Sequence, residues 1–145
     1  MSSATEVPFI DTTVLAAAAT AELEDWGLLE EATSEDTPMQ VHGLTMWSSA
    51  ADADSGDAAA GADAGEAGGA GEGGAETGIW QCTAGPSYWV QEQNEFVYIL
   101  SGSLTVTPDG GKPATFGAGD CAMFPRGWRG TWDLHETVRK VYVVF

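Results

Sequence analysis

Residues 89–102 read WVQEQNEFVYILSG. A lone carboxylate, Glu95, heads the apolar run FVYILS, and Gly102 closes it. β-branched and aromatic residues fit a strand. Its period of two sets Glu95, Val97 and Ile99 on one face and Phe96, Tyr98 and Leu100 on the other. Both sets are mostly apolar, so the expectation is a strand largely buried on both faces. A carboxylate in such a strand must find a cation or keep its proton.

Outward from this run the same texture repeats. The stretches GIWQCTAG, SYWVQ, EFVYILSG, SLTVTP, PATFG, DCAMFP, RGTWDLHE and VRKVYVVF are short, β-rich and separated by turn signals such as PDGGK. Strands at this spacing predict an all-β sandwich or barrel. Upstream, QVHGLTMW predicts one more strand over Val41–Trp47. The segment DTTVLAAAATAELEDWGLLEEA has helix-forming composition around Leu15–Leu23, interrupted by Gly27. Residues 1–40 are therefore expected to form a short, partly helical arm that docks on the barrel through Trp26, Leu28 and Leu29.

Residues 50–77 hold only Ala, Gly, Asp, Glu, Ser and Thr. Without large apolar side chains the segment cannot offset its ordering entropy, and a flexible acidic loop inserted into a 41–145 domain is expected. At 145 residues the chain fits one domain.

Charge is as uneven as texture. The chain carries 22 acidic and 5 basic residues, a formal net charge of −17. Residues 1–49 hold nine acids, residues 50–77 seven and residues 78–145 six, and every basic residue lies beyond 110. An acidic chain without a basic patch repels nucleic acid and anionic lipid, so neither is expected as a partner. Cys82 and Cys121 form no short metal or disulfide spacing. The opening MSSATEVPFIDTTVLAAAAT lacks the basic start of a signal peptide. A cytoplasmic protein is expected.

Two motifs carry a resemblance. Glu95, six residues and Gly102 match the E-x6-G ending of the first cupin motif, usually G-x5-H-x-H-x3,4-E-x6-G. Gly119, DCAMF, Pro125, Arg126 and Gly127 match the second, usually G-x5-P-x-G-x2-H-x3-N, up to its histidine, where Gly130 stands. In place of His-x-His stands either Trp89-Val90-Gln91 or Tyr88-Trp89-Val90. The wording of GAGDCAMFPRGWRGTW and ETVRKVYV resembles the subgroup of ethanolamine-utilisation cupins and domains similar to (S)-ureidoglycine aminohydrolase. The resemblance spans about residues 41–145. It implies a single cupin-type β-barrel, or jelly roll, and a homodimer.

All three histidines of the family's metal site are missing, so no metal ligand set and no cofactor are expected. A divalent metal is the minority alternative: Glu95 would need Gln91, Cys82 or His42 to complete a shell. His42 is expected as a strand residue and His135 as a surface imidazole. Both cysteines are read as small buried hydrophobes, Asp120 as a cap on backbone amides in its turn, and Arg126 as solvent-facing.

The remaining candidates describe an organic site. Glu95 is the proposed acid/base group, with Lys140 as its catalytic partner. Trp80, Tyr88, Tyr98, Trp128, Trp132 and Tyr142 are candidates to shape a substrate pocket, and Arg139 to hold an anionic group. Lys140 and Arg139 are adjacent in the last strand, so one points inward and the other outward, and the sequence leaves open which. Three functions fit this set. One is a hydrolase, lyase or isomerase acting on a small ureido, amide or carboxylate metabolite by proton transfer. The others are a non-catalytic small-molecule binder and a structural dimeric module.

Overall fold

In the last strand, Val138–Val144, every second residue is buried: Val138, Lys140, Tyr142 and Val144. The same alternation runs through Glu95–Ser101, where Glu95, Val97 and Ile99 are buried. Strands with one inward face must cover it with a second layer. The computed structural model, which describes residues 9–10, 13–49 and 74–145, shows that layer.

Six antiparallel strands form the larger sheet, in the order Cys121–Phe124, Glu95–Ser101, Val138–Val144, Glu76–Cys82, Gln40–Ser48, Glu24–Leu28. Four form the smaller sheet, in the order Ala114–Gly117, Ser103–Pro108, Arg129–Leu134, Gly85–Val90. The inner faces meet in one apolar core. Trp80, Cys82, Val97, Ile99, Tyr142 and Val144 come from the larger sheet, and Trp89, Leu104, Val106, Trp132 and Leu134 from the smaller. This is an all-β jelly roll. Each of the eight strand-like runs of the C-terminal half is a strand, and the QVHGLTMW run becomes Gln40–Ser48.

Gly102 turns the chain from one sheet to the other. Its φ is 90°, and a Cβ there would collide with the Thr137 carbonyl and come within 2.8 Å of Val138 Cα. Only glycine meets both demands.

The fold corrects several expectations. The described part of the N-terminal arm contains no helix. A turn at Ala17–Ala21 leads into the strand Glu24–Leu28, which pairs antiparallel with Gln40–Ser48. A one- or two-turn Ala-rich helix is marginal by itself, whereas the sheet edge offers backbone partners. Leu29 and Trp26 pack on the core as expected, while Leu28 is exposed. The second correction concerns the strand of the opening motif, which is buried on one face only: Phe96 is 39% and Tyr98 42% exposed.

Most of the acidic insertion, residues 50–73, lies outside the described residues. Its expected C-terminal end differs from the structure, because Glu76 and Thr77 already belong to the strand Glu76–Cys82. Among the described residues no helix is long and apolar enough to cross a membrane.

Candidate functional site

Glu95 begins its strand facing inward opposite Val144, and the register of the larger sheet sets Lys140 four residues along the adjacent Val138–Val144, opposite Ile99 and on the same face. Lys140 Nζ lies 2.9 Å from Glu95 Oε2, with both side chains almost fully buried. The Gln91 amide donates to Glu95 Oε1 at 3.3 Å. The ammonium also sits 4.3 Å from the centroid of Trp80, on the neighbouring strand, and 4.4 Å from that of Trp132, on the opposite sheet. A carboxylate and two π faces all suit a positive charge. Taking two charges out of water costs several kcal/mol per ion, and such a pair is rarely a net gain over apolar packing of the same volume. Its presence in a mostly apolar core marks it as a candidate site.

Aromatic rings pack together beside the pair. Trp89 stacks on Trp132 at 4.7 Å, and Trp80 meets both edge-on at 6.4 Å. The Trp89 indole N–H donates to Ser87 Oγ at 2.8 Å, and Ser87 in turn donates to the Trp132 carbonyl at 2.9 Å. The indole nitrogens of Trp80 and Trp132 are buried and meet no acceptor among the described residues. A buried donor left unpaired costs about 1–3 kcal/mol.

The strand parity decides which residues replace the family's histidines. Trp89 and Gln91 are buried, whereas Val90 is exposed and Tyr88 faces outward toward Asp109, so Trp89-Val90-Gln91 is the matching stretch. At the third position no side chain fits. A Cβ on Gly130 would collide with the Thr107 carbonyl and stand 2.8 Å from Pro108 Cα and the Trp128 ring. Gln91 and Glu95 are then the oxygen-bearing groups at the motif positions, and Glu95 is already engaged by an ammonium. Among the described residues no three His, Cys, Asp or Glu side chains converge on a point. The donor set does not fit a cupin metal ion.

Three more ionisable groups, Cys82, Tyr142 and Glu76, share the interior. Cys82 is fully buried, and burial pushes its thiol from 9.0 up to about 12 despite the opposing charge of Lys140. A thiol held protonated to that extent is no nucleophile near neutral pH. The Tyr142 hydroxyl donates to Glu76 Oε2 at 2.6 Å. Burial, followed by the Glu76 charge, drives its pKa well above the ordinary value.

The structure thus brings together Glu95, Lys140, Trp80, Trp132 and Tyr142. Trp128 is partly buried against the core, edge-on to Phe124 at 5.0 Å. Tyr88, Tyr98 and Arg139 are corrected: all three point away from the interior because each has the opposite parity to its inward neighbours. Tyr88 donates to Asp109 at 2.6 Å, and that bond raises its pKa. Arg139 pins the arm, donating to the Ala18 carbonyl at 3.0 Å and the Ala21 carbonyl at 2.7 Å, and its partial burial lowers its pKa.

Cys121, expected to be buried, is exposed on the outer face. His135 is at the surface between Ser103 Oγ at 3.1 Å and Thr105 Oγ1 at 2.8 Å, and His42 lies in Gln40–Ser48. Asp120 accepts from the Gly117 amide at 2.9 Å, and Arg126 is exposed. Three interior residues are absent from the organic-site candidates. Sequence reasoning names Trp89 and Gln91 only in the place of the family's histidines, and Gln91 also as a possible completion of a metal shell, although both share parity with Glu95; Glu76 is hidden by its place at the end of an acidic run.

The EutQ-like cupin domain model matches residues 69–142, about half of the chain. The chain belongs to this cupin family. The EutQ protein of Clostridium difficile shares the cupin fold over 100% of this chain and 97% of its own, with a TM-score of 0.63 at 12% identity. A DUF861 family protein of Pseudomonas syringae gives a TM-score of 0.66 at 16% identity over 93% of this chain. This cupin spans about half of that protein, 49%. A second DUF861 family protein, from Thermotoga maritima, is 39% identical over 46% of this chain and 76% of its own, with a TM-score of 0.45. No curated protein matches the chain.

Proposed function

We propose that this cupin binds a small polar molecule in its barrel interior and does so without a bound metal ion. The observation that carries the reading is the Glu95–Lys140 pair, buried in the core between Trp80 and Trp132. In the family's metal motif Glu95 is one of four ligands; in this chain the cation beside it is an ammonium supplied by the chain itself. We extend the proposal to catalysis on a ureido, amide or carboxylate metabolite. A ligand that separates the pair frees Glu95 to exchange a proton and leaves Lys140 to steady a developing oxyanion.

Elemental analysis of the purified protein, paired with Glu95→Gln, tests the core of the reading. Metal far below one equivalent in both proteins is expected. Stoichiometric manganese, iron, nickel or zinc in the wild type, lost in Glu95→Gln, would overturn it.

A structural dimeric module is the second reading. Phe96, Tyr98 and Met123 stand side by side on the outer face of the larger sheet, exposed by 39%, 42% and 47%. Clustered apolar exposure of this kind suits contact with a second copy. Light scattering should report a dimer, and Phe96→Glu should dissociate it; a monomeric wild type counts against this reading.

A further inference from the structure

The chemistry of the interior selects among ligands. Stacked or edge-on indole faces are a receptor for a ligand's ammonium, but in this barrel Lys140 Nζ already lies against both Trp80 and Trp132. Glu95, the obvious anchor for a cation, is engaged by the same ammonium and by Gln91. A cationic ligand would have to displace Lys140 from two rings and a carboxylate at once.

What the interior holds in surplus is donors. Trp89 spends its indole N–H on Ser87, whereas the indole N–H groups of Trp80 and Trp132 are buried without an acceptor among the described residues. Both rings lie within 4.4 Å of Lys140 Nζ, measured to their centroids, so both unpaired donors belong to residues that flank the ion pair. An ammonium has three N–H bonds, and the bond to Glu95 uses one of them. The residues around the ion pair thus offer hydrogen-bond donors, and the carboxylate among them is already engaged.

Resting on the interior-site reading above, we infer that the ligand of this cupin is an oxygen acceptor, a small carboxylate or carbonyl compound, received by the indole N–H groups of Trp80 and Trp132, and that amines are excluded. The net charge of −17 opposes an approaching carboxylate but not an uncharged carbonyl, so the two sources separate experimentally.

The test uses the full-length wild-type chain labelled with nitrogen-15. Its six tryptophans give six indole N–H resonances. Propionate, propionamide and propylamine, nearly equal in shape, are titrated separately at matched ionic strength. Two resonances, assigned by their loss in Trp80→Phe and Trp132→Phe, should move with propionate or propionamide and stay in place with propylamine. If either variant fails to fold, through-space contacts to Lys140 in the wild type supply the assignment. Each Trp→Phe change should weaken binding about tenfold, the worth of one buried hydrogen bond. A response to propionamide alone assigns the carbonyl class, and a response to propionate assigns the carboxylate. Binding of propylamine at these two indoles overturns this inference and leaves an interior site standing. Silence of both indoles to all three probes overturns the inference and the interior-site reading together.

Discussion

Tyr142 and Tyr88 each donate to a carboxylate across 2.6 Å, Tyr142 to Glu76 inside the barrel and Tyr88 to Asp109 on the outer face of the smaller sheet. Both phenols have raised pKa values, yet for Tyr142 burial is the leading cause and for Tyr88 it is the hydrogen bond itself. Bond length is the same and energetic weight is not. Water can replace Asp109 as a partner at the surface, and nothing so available replaces Glu76 in the core. The interior pair of Glu95 and Lys140 is the extreme of the same contrast.

Breaking the interior pair should have the largest effect. Lys140→Met leaves the Glu95 carboxylate buried without its cation, and a loss of about 3–5 kcal/mol in denaturant unfolding is expected. The double variant Glu95→Gln with Lys140→Met should recover most of that loss, because it removes both charges. If the double variant is as unstable as the single one, packing rather than charge pairing dominates the site.

Alkaline pH sharpens the comparison next. The folded protein holds the Cys82 proton up to about pH 12, whereas an ordinary thiol releases it near 9.0. Between these values the unfolded chain loses a proton that the folded chain keeps. Stability present below pH 9.0 is therefore lost as pH rises toward 12, on the order of 4 kcal/mol at full titration. Tyr142, also raised, acts in the same direction above pH 10.0. Cys82→Ala should lower stability at neutral pH and flatten this slope, leaving the Tyr142 part. An unchanged slope in unfolding curves recorded from pH 8 to pH 11 would exclude Cys82 as its source.

Tyr142→Phe removes one hydrogen bond from a buried carboxylate and should cost about 1–3 kcal/mol by the same measurement. Tyr88→Phe should leave the unfolding midpoint where it is. Equal losses in the two variants would show that burial does not set the energetic weight of these two bonds.

The β class, the eight C-terminal strands and the absence of the family's histidines were all legible in sequence, because alternation, turn residues and motif spacing are local. The strand Glu24–Leu28 was not. Its residues, with Asp25 and Gly27 among them, carry no clear strand pattern when judged alone, and it is a strand because the edge of Gln40–Ser48 lies beside it. Gly130 shows the same limit from another side. Its lack of a ligand side chain can be read directly, whereas the approach of the Thr107 carbonyl and the Trp128 ring, which forbids one, comes from a neighbouring strand and a folded turn.

The sequence by itself determined that Glu95 opens a strand with Val97 and Ile99, and that of Lys140 and Arg139 one must turn in and one out, since a strand alternates its faces. It could not determine which. That choice belongs to the pairing of Val138–Val144 between Glu95–Ser101 and Glu76–Cys82, including the register shift between Arg139 and Lys140. A slip of one residue would exchange the two cations. The tertiary register, by placing Lys140 against Glu95 and two tryptophans and sending Arg139 to hold the arm, turned an isolated carboxylate into half of a buried ion pair.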